Sequence, residues 1–341
     1  MVLPRAAVPR QTLQGSRRRS RQRAALRILL VTSPGFTSAD VEEIRAAVPG
    51  ATYLTATDDT VWEHVVGVDA LIGCPRRGLS PDLLRRAGRR LQWVHASGAG
   101  IEDVVIPPVM AGKLVLTNGK MIQGPEVADH AMAFLLALTR NLHLVLSGRT
   151  EGSMPRPVEL RGKVALIVGV GGVGLLVAER AAAFGMRVVG VNDEMVPLLH
   201  LLERVYLPEQ LEEALPAADA VLICAPLTKR TERWFARQHF QLMKPAAYFI
   251  NVARGRIVST EALVEALEGG RLRGVGLDVT DPEPLPDDHP LRRFPHVILT
   301  PHIAGLSEHN RRRSVELITM NVRRFVQGLP LLNVVDNERG Y

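Results

Sequence analysis

The chain has 341 residues, 46% apolar and 23% charged, proportions that exclude a disordered chain, a coiled coil and a small disulfide-stapled scaffold. Its two cysteines, Cys74 and Cys224, stand far apart; they form neither a disulfide framework nor a metal-ligand spacing, so a reducing compartment and no metal are expected. The net charge of +7 is local: eight arginines among residues 1–27, with no lysine or acid there, exceed it by one, leaving −1 on the other 314 residues.

No run approaches the roughly 20 apolar residues of a membrane-spanning helix, so a soluble, cytoplasmic protein is expected. Residues 1–27 read as a disordered basic extension. An Arg-rich, acid-free leader also resembles an organelle transit peptide, and a basic tail can meet phosphate. Neither a membrane nor a nucleic acid is expected as partner.

Taken in order, Ile28–Val31 reads as a strand and Ser38 onward as an amphipathic helix opened by a capping residue. The cycle continues with strands at 51–54, 69–73, 91–94 and 113–117 and a helix start at Ser80-Pro81. A single long apolar helix is expected from about Pro125 to Leu146, carrying Val127, Ala131, Phe134, Leu135, Leu138 and Leu142 at helical spacing. After a Gly/Ser/Pro-containing loop, strands follow at 164–169, 187–191, 218–225, 248–252, 274–277 and 297–300, and a last helix at 307–327. Short strands alternating with helices predict α/β architecture with two doubly wound parallel sheets.

Strand 164–169 opens into Gly169-Val170-Gly171-Gly172-Val173-Gly174 and then a helix. This order lets backbone N–H groups and a helix N-terminus meet a pyrophosphate. Gly169 makes the turn, Gly171 admits the phosphates, and Gly174 lets helix and strand approach. An acid for the adenosine ribose is expected about 20 residues on. Asn192 and Asp193 stand there, with no arginine beside them in the sequence. Asn192 suits a ribose hydroxyl and Asp193 repels a 2′-phosphate, which favours NAD, with NADP as the alternative cofactor. Both also suit a plain turn.

Three further loops each follow a strand: Asn251-Val252-Ala253-Arg254-Gly255, then Asp278 through Glu283-Pro284, then Pro301-His302 to Gly305. Arginine, glutamate and histidine at the carboxyl edge of a parallel sheet suit carbonyl reduction beside a nicotinamide. Arg254 suits a substrate carboxylate and a polarised ketone. Protonated His302 suits proton delivery to the carbonyl oxygen, and Glu283 suits orienting the imidazole and favouring its charged form.

With Asn-Val-Ala-Arg-Gly at 251–255, Leu-Asp-Val at 277–279, Pro-Glu-Pro-Leu-Pro at 282–286 and Thr-Pro-His-Ile-Ala-Gly at 300–305, the chain resembles the D-isomer-specific 2-hydroxyacid dehydrogenases from about Leu91 to Asn333. The resemblance implies that Arg254, Glu283 and His302 are the catalytic residues. It places Asp278 near the nicotinamide carboxamide, puts Cys224-Ala225-Pro226-Leu227-Thr228 along the cofactor with Gly172, Val173, Val252, Ala253, His302 and Gly305, and makes Ser97-Gly98-Ala99-Gly100 the loop that holds the substrate carboxylate. Successive N–H groups in a glycine turn do form an anion nest. Cys224 itself reads as a buried strand cysteine.

Two positions depart from the family: Asn192 replaces its usual acid, and Glu102-Asp103 follow the glycine loop where aspartate usually comes first. Glu283, not glutamine, argues against the related formate dehydrogenases. Arg76 and Arg77 are weak candidates for a contact with an anionic substrate. The fold implied is a Rossmann nucleotide-binding domain, 123–305, inserted into a flavodoxin-like substrate domain of 28–122 plus 306–335. The implied enzyme is a homodimer that moves a hydride between NAD(H) and a small D-2-hydroxy or 2-oxo acid such as glyoxylate or hydroxypyruvate. A dinucleotide-sensing relative without useful turnover is the rival reading, because fold alone does not fix function.

Overall fold

A computed structural model of the chain describes residues 25–33, 35–73, 79–101, 114–149, 154–194, 200–336 and 339. Cys74, Arg76, Arg77, Glu102, Asp103 and residues 1–24 of the basic tail lie outside the described residues.

The first sheet comes from β1 (Leu26–Val31), α1 (Ser38–Ala47), β2 (Ala51–Ala56), α2 (Val61–His64), β3 (Ala70–Ile72), α3 (Pro81–Ala87), β4 (Trp93–Ala96) and β5 (Val115–Asn118). Its strands are parallel in the order β2-β1-β3-β4-β5, the flavodoxin-like arrangement. Alternation along β1 fills two cores. Leu29 and Val31 face the side covered by Leu83, Leu84 and Ala87 of α3, and Ile28 and Leu30 face the side covered by α1.

α1 is capped one residue earlier than its sequence suggests: Thr37 is the N-cap, and its N–H donates to the Asp40 carboxylate at 2.6 Å.

Next come α4 (Gly124–Thr139) and α5 (Leu142–Leu146). The single helix expected over 125–146 is therefore two. Asn141 breaks it in the left-handed region at φ 59°, where its side chain donates to the Pro155 carbonyl at 2.5 Å.

The second sheet is built from β6 (Val164–Val168), α6 (Gly172–Ala183), β7 (Arg187–Val191), β8 (Arg204–Tyr206), α7 (Leu211–Ala214), β9 (Ala220–Ile223), α8 (Arg237–Leu242), β10 (Ala247–Asn251), α9 (Thr260–Glu268), β11 (Leu272–Leu277) and β12 (Val297–Leu299), and the chain closes with α10 (Asn310–Gln327). All seven strands are parallel, in the order β12-β11-β10-β9-β6-β7-β8. The six from β8 to β11 follow the Rossmann order, with the switch point of the strand order between β6 and β9. β8, a three-residue edge strand with one arginine and no interior apolar run, carries little sequence signal.

α4 packs on this sheet through Ala128, Ala131 and Leu135, sharing a core with Ala165 and Ile167 of β6 and Val177 of α6. α10 returns to the first sheet, where Val315, Ile318 and Val322 join the core around Trp93. The last apolar segment is an edge bridge: Val334 pairs antiparallel with Thr117, and the Val335 N–H donates to the Leu116 carbonyl at 2.9 Å. Among the described residues no helix is long and apolar enough to cross a membrane.

Candidate active site

β10, β11 and β12 are neighbours, and Asn251, Leu277 and Leu299 share one row of the register. The loops leaving their carboxyl ends carry Arg254, Glu283 and His302, so the parallel sheet delivers all three to one edge. Asn251, buried at the end of β10, shapes the first loop. Its side chain accepts from the Ala253 N–H and donates to the Arg254 carbonyl, both at 3.0 Å. The Arg254 guanidinium donates to the Ala253 carbonyl at 2.7 Å. Gly255 then passes so close to the second loop that a Cβ there would stand 2.0 Å from the Thr280 carbonyl oxygen. The Thr260 hydroxyl adds a bond to the Asp281 carbonyl at 2.7 Å.

Asp278 organises the third loop from the end of β11. Its buried carboxylate accepts from the Thr300 hydroxyl at 2.6 Å, the Ile303 N–H at 2.9 Å and the Ala304 N–H at 2.9 Å. The N–H of His302 donates to the Asp278 carbonyl at 2.9 Å. These bonds hold His302 at φ 53°, a conformation uncommon for a residue with a side chain. The ring Nδ1 of His302 lies 2.7 Å from Glu283 Oε1. His130 on α4 supports the group, its Nε2 standing 3.0 Å from the Thr300 hydroxyl. Since that hydroxyl donates its proton to Asp278, His130 is the donor in the contact.

The glycine turn lies between β6 and α6. Gly169 takes φ 94°, and a Cβ on it would stand 2.5 Å from the backbone of Ala225, in the loop after β9. A Cβ on Gly174 would meet the Gly169 carbonyl oxygen at 2.0 Å, yet one on Gly171 would meet nothing within 4 Å. The turn is thus packed tightly behind and open in front, where Gly172 and Val173 begin α6 and its first N–H groups lack helical partners. That combination fits a dinucleotide pyrophosphate. Beside it, Val252 is buried at the start of the Arg254 loop, and the Pro226 carbonyl accepts from the Thr231 hydroxyl at 2.6 Å. Cys224 stands just after β9 and is half-buried, not a buried strand cysteine, and desolvation pushes its thiol up to about 12, which disfavours the thiolate.

At the end of β7 the two ribose candidates make different contacts. Asn192 turns back on the chain: Oδ1 accepts from the Val170 N–H at 3.1 Å and Nδ2 donates to the Glu194 carbonyl at 2.9 Å. Its amide therefore ties the glycine turn to β7. Asp193 has an arginine beside it after all. Nη1 of Arg230, from the loop after β9, is 3.6 Å from Asp193 Oδ1. Sequence proximity missed this pair because β7 and β9 both flank β6, which comes before them in the chain.

The Ser97–Gly100 loop follows β4 on the first sheet. The Gly98 carbonyl accepts from the Gly119 N–H at 2.9 Å and the Ala99 carbonyl from the Asn118 amide at 2.7 Å. The same 118–123 segment reaches the second sheet's turns. Met121 lies against Gly172, where a Cβ would be 2.9 Å from its Cγ, and Gln123 against Gly305, where a Cβ would be 3.0 Å from its Cδ. One short segment thus contacts the Ser97 loop, the glycine turn and the His302 loop. Near it, buried Glu126 of α4 accepts from Arg313 of α10 at 2.7 Å and from Ser307 at 3.2 Å.

Three comparisons bear on this site. The family model described as "D-isomer specific 2-hydroxyacid dehydrogenase, NAD binding domain" matches residues 132–304. A glyoxylate reductase of Pyrococcus furiosus is 33% identical over 278 residues, which cover 78% of this chain and 82% of that one. A D-3-phosphoglycerate dehydrogenase of Methanocaldococcus jannaschii is 28% identical over 90% of this chain, but the match spans only 59% of that longer protein. Among solved structures, a D-isomer specific 2-hydroxyacid dehydrogenase family protein from Aeromonas salmonicida superposes with a TM-score of 0.76 at 28% identity, covering 92% of this chain and 99% of that one.

Proposed function

The chain belongs to the D-isomer specific 2-hydroxyacid dehydrogenase family, and is thereby an oxidoreductase acting on 2-hydroxy or 2-oxo acids with an NAD-binding domain; from that premise we propose that it reduces a small 2-oxo acid of the glyoxylate or hydroxypyruvate kind to the D-2-hydroxy acid. The observation that carries this reading is the His302–Glu283 contact at 2.7 Å, on the same sheet edge as Arg254.

Arg254 binds the substrate carboxylate and polarises the adjacent ketone. The backbone of Ser97, Gly98, Ala99 and Gly100 receives the same carboxylate from the other sheet, as a nest of N–H groups. Glu283 accepts the Nδ1–H of His302, which leaves the transferable proton on Nε2. In the imidazolium form His302 gives that proton to the carbonyl oxygen, and in the oxidative direction it takes the proton back from the alcohol. Asp278 and Thr300 keep the His302 loop in place throughout. The nicotinamide cofactor, when bound, supplies or accepts the hydride. Gly169 to Gly174 would hold its pyrophosphate, and Asp193, Pro226, Val252, Ala253 and Gly305 would line the rest of the dinucleotide.

We place the substrate domain at 28–122 plus 306–335 and the cofactor domain at 123–305, the cofactor domain inserted in the other. In support, α10 packs with the first sheet and α4 with the second. A cytoplasmic homodimer is the proposed working form. Leu142, Val145, Leu146 and Met154 are exposed together around α5, Leu146 by 86%, and make an apolar face suited to a second copy.

The test is NADH oxidation by the purified protein against a panel of 2-oxo acids, with sedimentation on the same sample. Turnover with a short acid by a dimer is the expected result. Tight NADH binding without turnover of any acid would sink the reductase reading, and a monomer would sink the dimer.

A further inference from the structure

Met121 is unfavourable to the fold on two counts. Its backbone stands at φ 71°, in the left-handed region that residues with side chains disfavour, and its apolar side chain is 65% exposed. Among the described residues it is the one large apolar side chain held at positive φ. The conformation is imposed from both sides. Asn333 donates to the Lys120 carbonyl and Arg313 to the Ile122 carbonyl, both at 2.7 Å, and the Ile122 N–H donates to the Gly119 carbonyl at 3.2 Å. The side chain lies against the first turn of α6. A Cβ on Gly172 would have Cγ, Cβ and Cε of Met121 as its three nearest neighbours, at 2.9, 3.8 and 3.9 Å, and a Cβ on Gly124 would stand 3.7 Å from the Gly172 carbonyl oxygen. The 121–124 segment thus docks on α6 at two points, one residue past Gly171, whose own face is open. A strained residue kept at such a place points to function, because stability alone would select against it.

We infer that Met121 is a cofactor-binding residue: its side chain forms one flank of the cradle and covers the pyrophosphate of the bound dinucleotide against water. This rests on the reading of Gly169–Gly174 as the cofactor cradle. An unbranched thioether adapts its shape to what it covers. Excluding water strengthens the hydrogen bonds from backbone N–H groups to phosphate oxygens. The apolar surface that Met121 exposes is buried when the cradle fills, which adds to affinity. The same segment begins at Asn118, which donates to the Ala99 carbonyl of the Ser97 loop at 2.7 Å. The cover therefore comes from the first sheet's side of the site, and the N–H groups come from the second.

NADH affinity and dissociation rate, read by fluorescence without any substrate, and thermal melting of the unliganded protein test the assignment. Met121→Gly removes the side chain and suits the positive φ, so the unliganded protein should melt no lower than wild type. NADH should bind it about five- to tenfold more weakly, mostly through faster dissociation. Met121→Leu keeps the apolar bulk and should retain wild-type affinity. Wild-type NADH affinity in Met121→Gly would overturn the proposal, and the cradle reading survives that result if Gly171→Ala still weakens binding. Equal loss in Met121→Gly and Met121→Leu, or a loss in Met121→Gly that accompanies a lowered melting temperature, would assign Met121 to the fold and overturn the proposal too. Failure of the wild type to bind NADH would overturn the cradle reading and this proposal with it.

Discussion

Nδ1 of His302 lies 2.7 Å from Oε1 of Glu283, and neither side chain is buried, being 46% and 41% exposed. The contact fixes which ring nitrogen faces the carboxylate, and therefore which one is available for proton transfer. In the proposed reaction His302→Ala lowers kcat for 2-oxo acid reduction by about 10²–10⁴-fold, the usual contribution of a general acid. NADH affinity changes little. Glu283→Gln, which keeps the shape and removes the charge, lowers kcat less and leaves KM nearly constant. Steady-state kinetics and NADH titration check both, and a His302→Ala enzyme with near-normal kcat would refute the assignment.

The glycine turn makes a graded prediction. Gly171→Ala adds a methyl where no protein atom lies within 4 Å and where φ is −94°, so thermal stability holds while NADH affinity falls. Gly174→Ala drives a methyl to 2.0 Å from the Gly169 carbonyl oxygen and loses both stability and binding. Thermal melts paired with NADH titration separate the two. Tight NADH binding by Gly171→Ala would show that the dinucleotide lies elsewhere.

Gly255 and Asp278 position the loops of the proposed catalytic residues, and neither is assigned a contact with substrate. Gly255→Ala puts a Cβ 2.0 Å from the Thr280 carbonyl, forcing the Arg254 loop away from the loop that carries Glu283. The expected result is a folded protein whose kcat/KM drops by about 10²-fold, as misplacement of reacting groups by about 1 Å does. Asp278→Asn sets an amide where a carboxylate accepts three hydrogen bonds. It costs about 1–3 kcal/mol in stability and lowers kcat through His302. Urea unfolding and kinetics on the same samples give both quantities.

His95 sets a pH limit on stability. It lies buried on β4 with Nδ1 2.8 Å from the Thr117 hydroxyl, and burial lowers its pKa from 6.5 to about 4. Because the folded value is the lower one, the unfolded chain binds the proton first as pH falls. Stability is therefore complete above about pH 6.5 and is lost progressively toward pH 4, by about 3 kcal/mol for this group. His95→Gln should flatten that part of the curve. Urea midpoints between pH 7 and pH 4 decide it, and equal slopes in wild type and variant would remove His95 as the cause.

Much of this protein is determined by local sequence. The strand, Gly169–Gly174 and helix succession names its own structure, because the close approach of Gly174 to the Gly169 carbonyl is a contact across one turn. Arg254, Glu283 and His302 are legible for a related reason: each follows a strand of one parallel sheet, and parallel strands release their loops at the same edge.

Other features depend on which strands become neighbours, and no local signal records that. The adjacency of β10, β11 and β12 turns three separate loops into one site. Arg230 meets Asp193 only because β7 and β9 flank β6. The apolar periodicity of 125–146 reads as one helix, since hydrophobic spacing says nothing of Asn141 turning left-handed to reach Pro155. The 118–123 segment has no motif at all, yet it touches the Ser97, Gly172 and Gly305 loops together. Such contacts arise from non-local packing and hydrogen bonding, which the order of residues permits but only the folded sheets select.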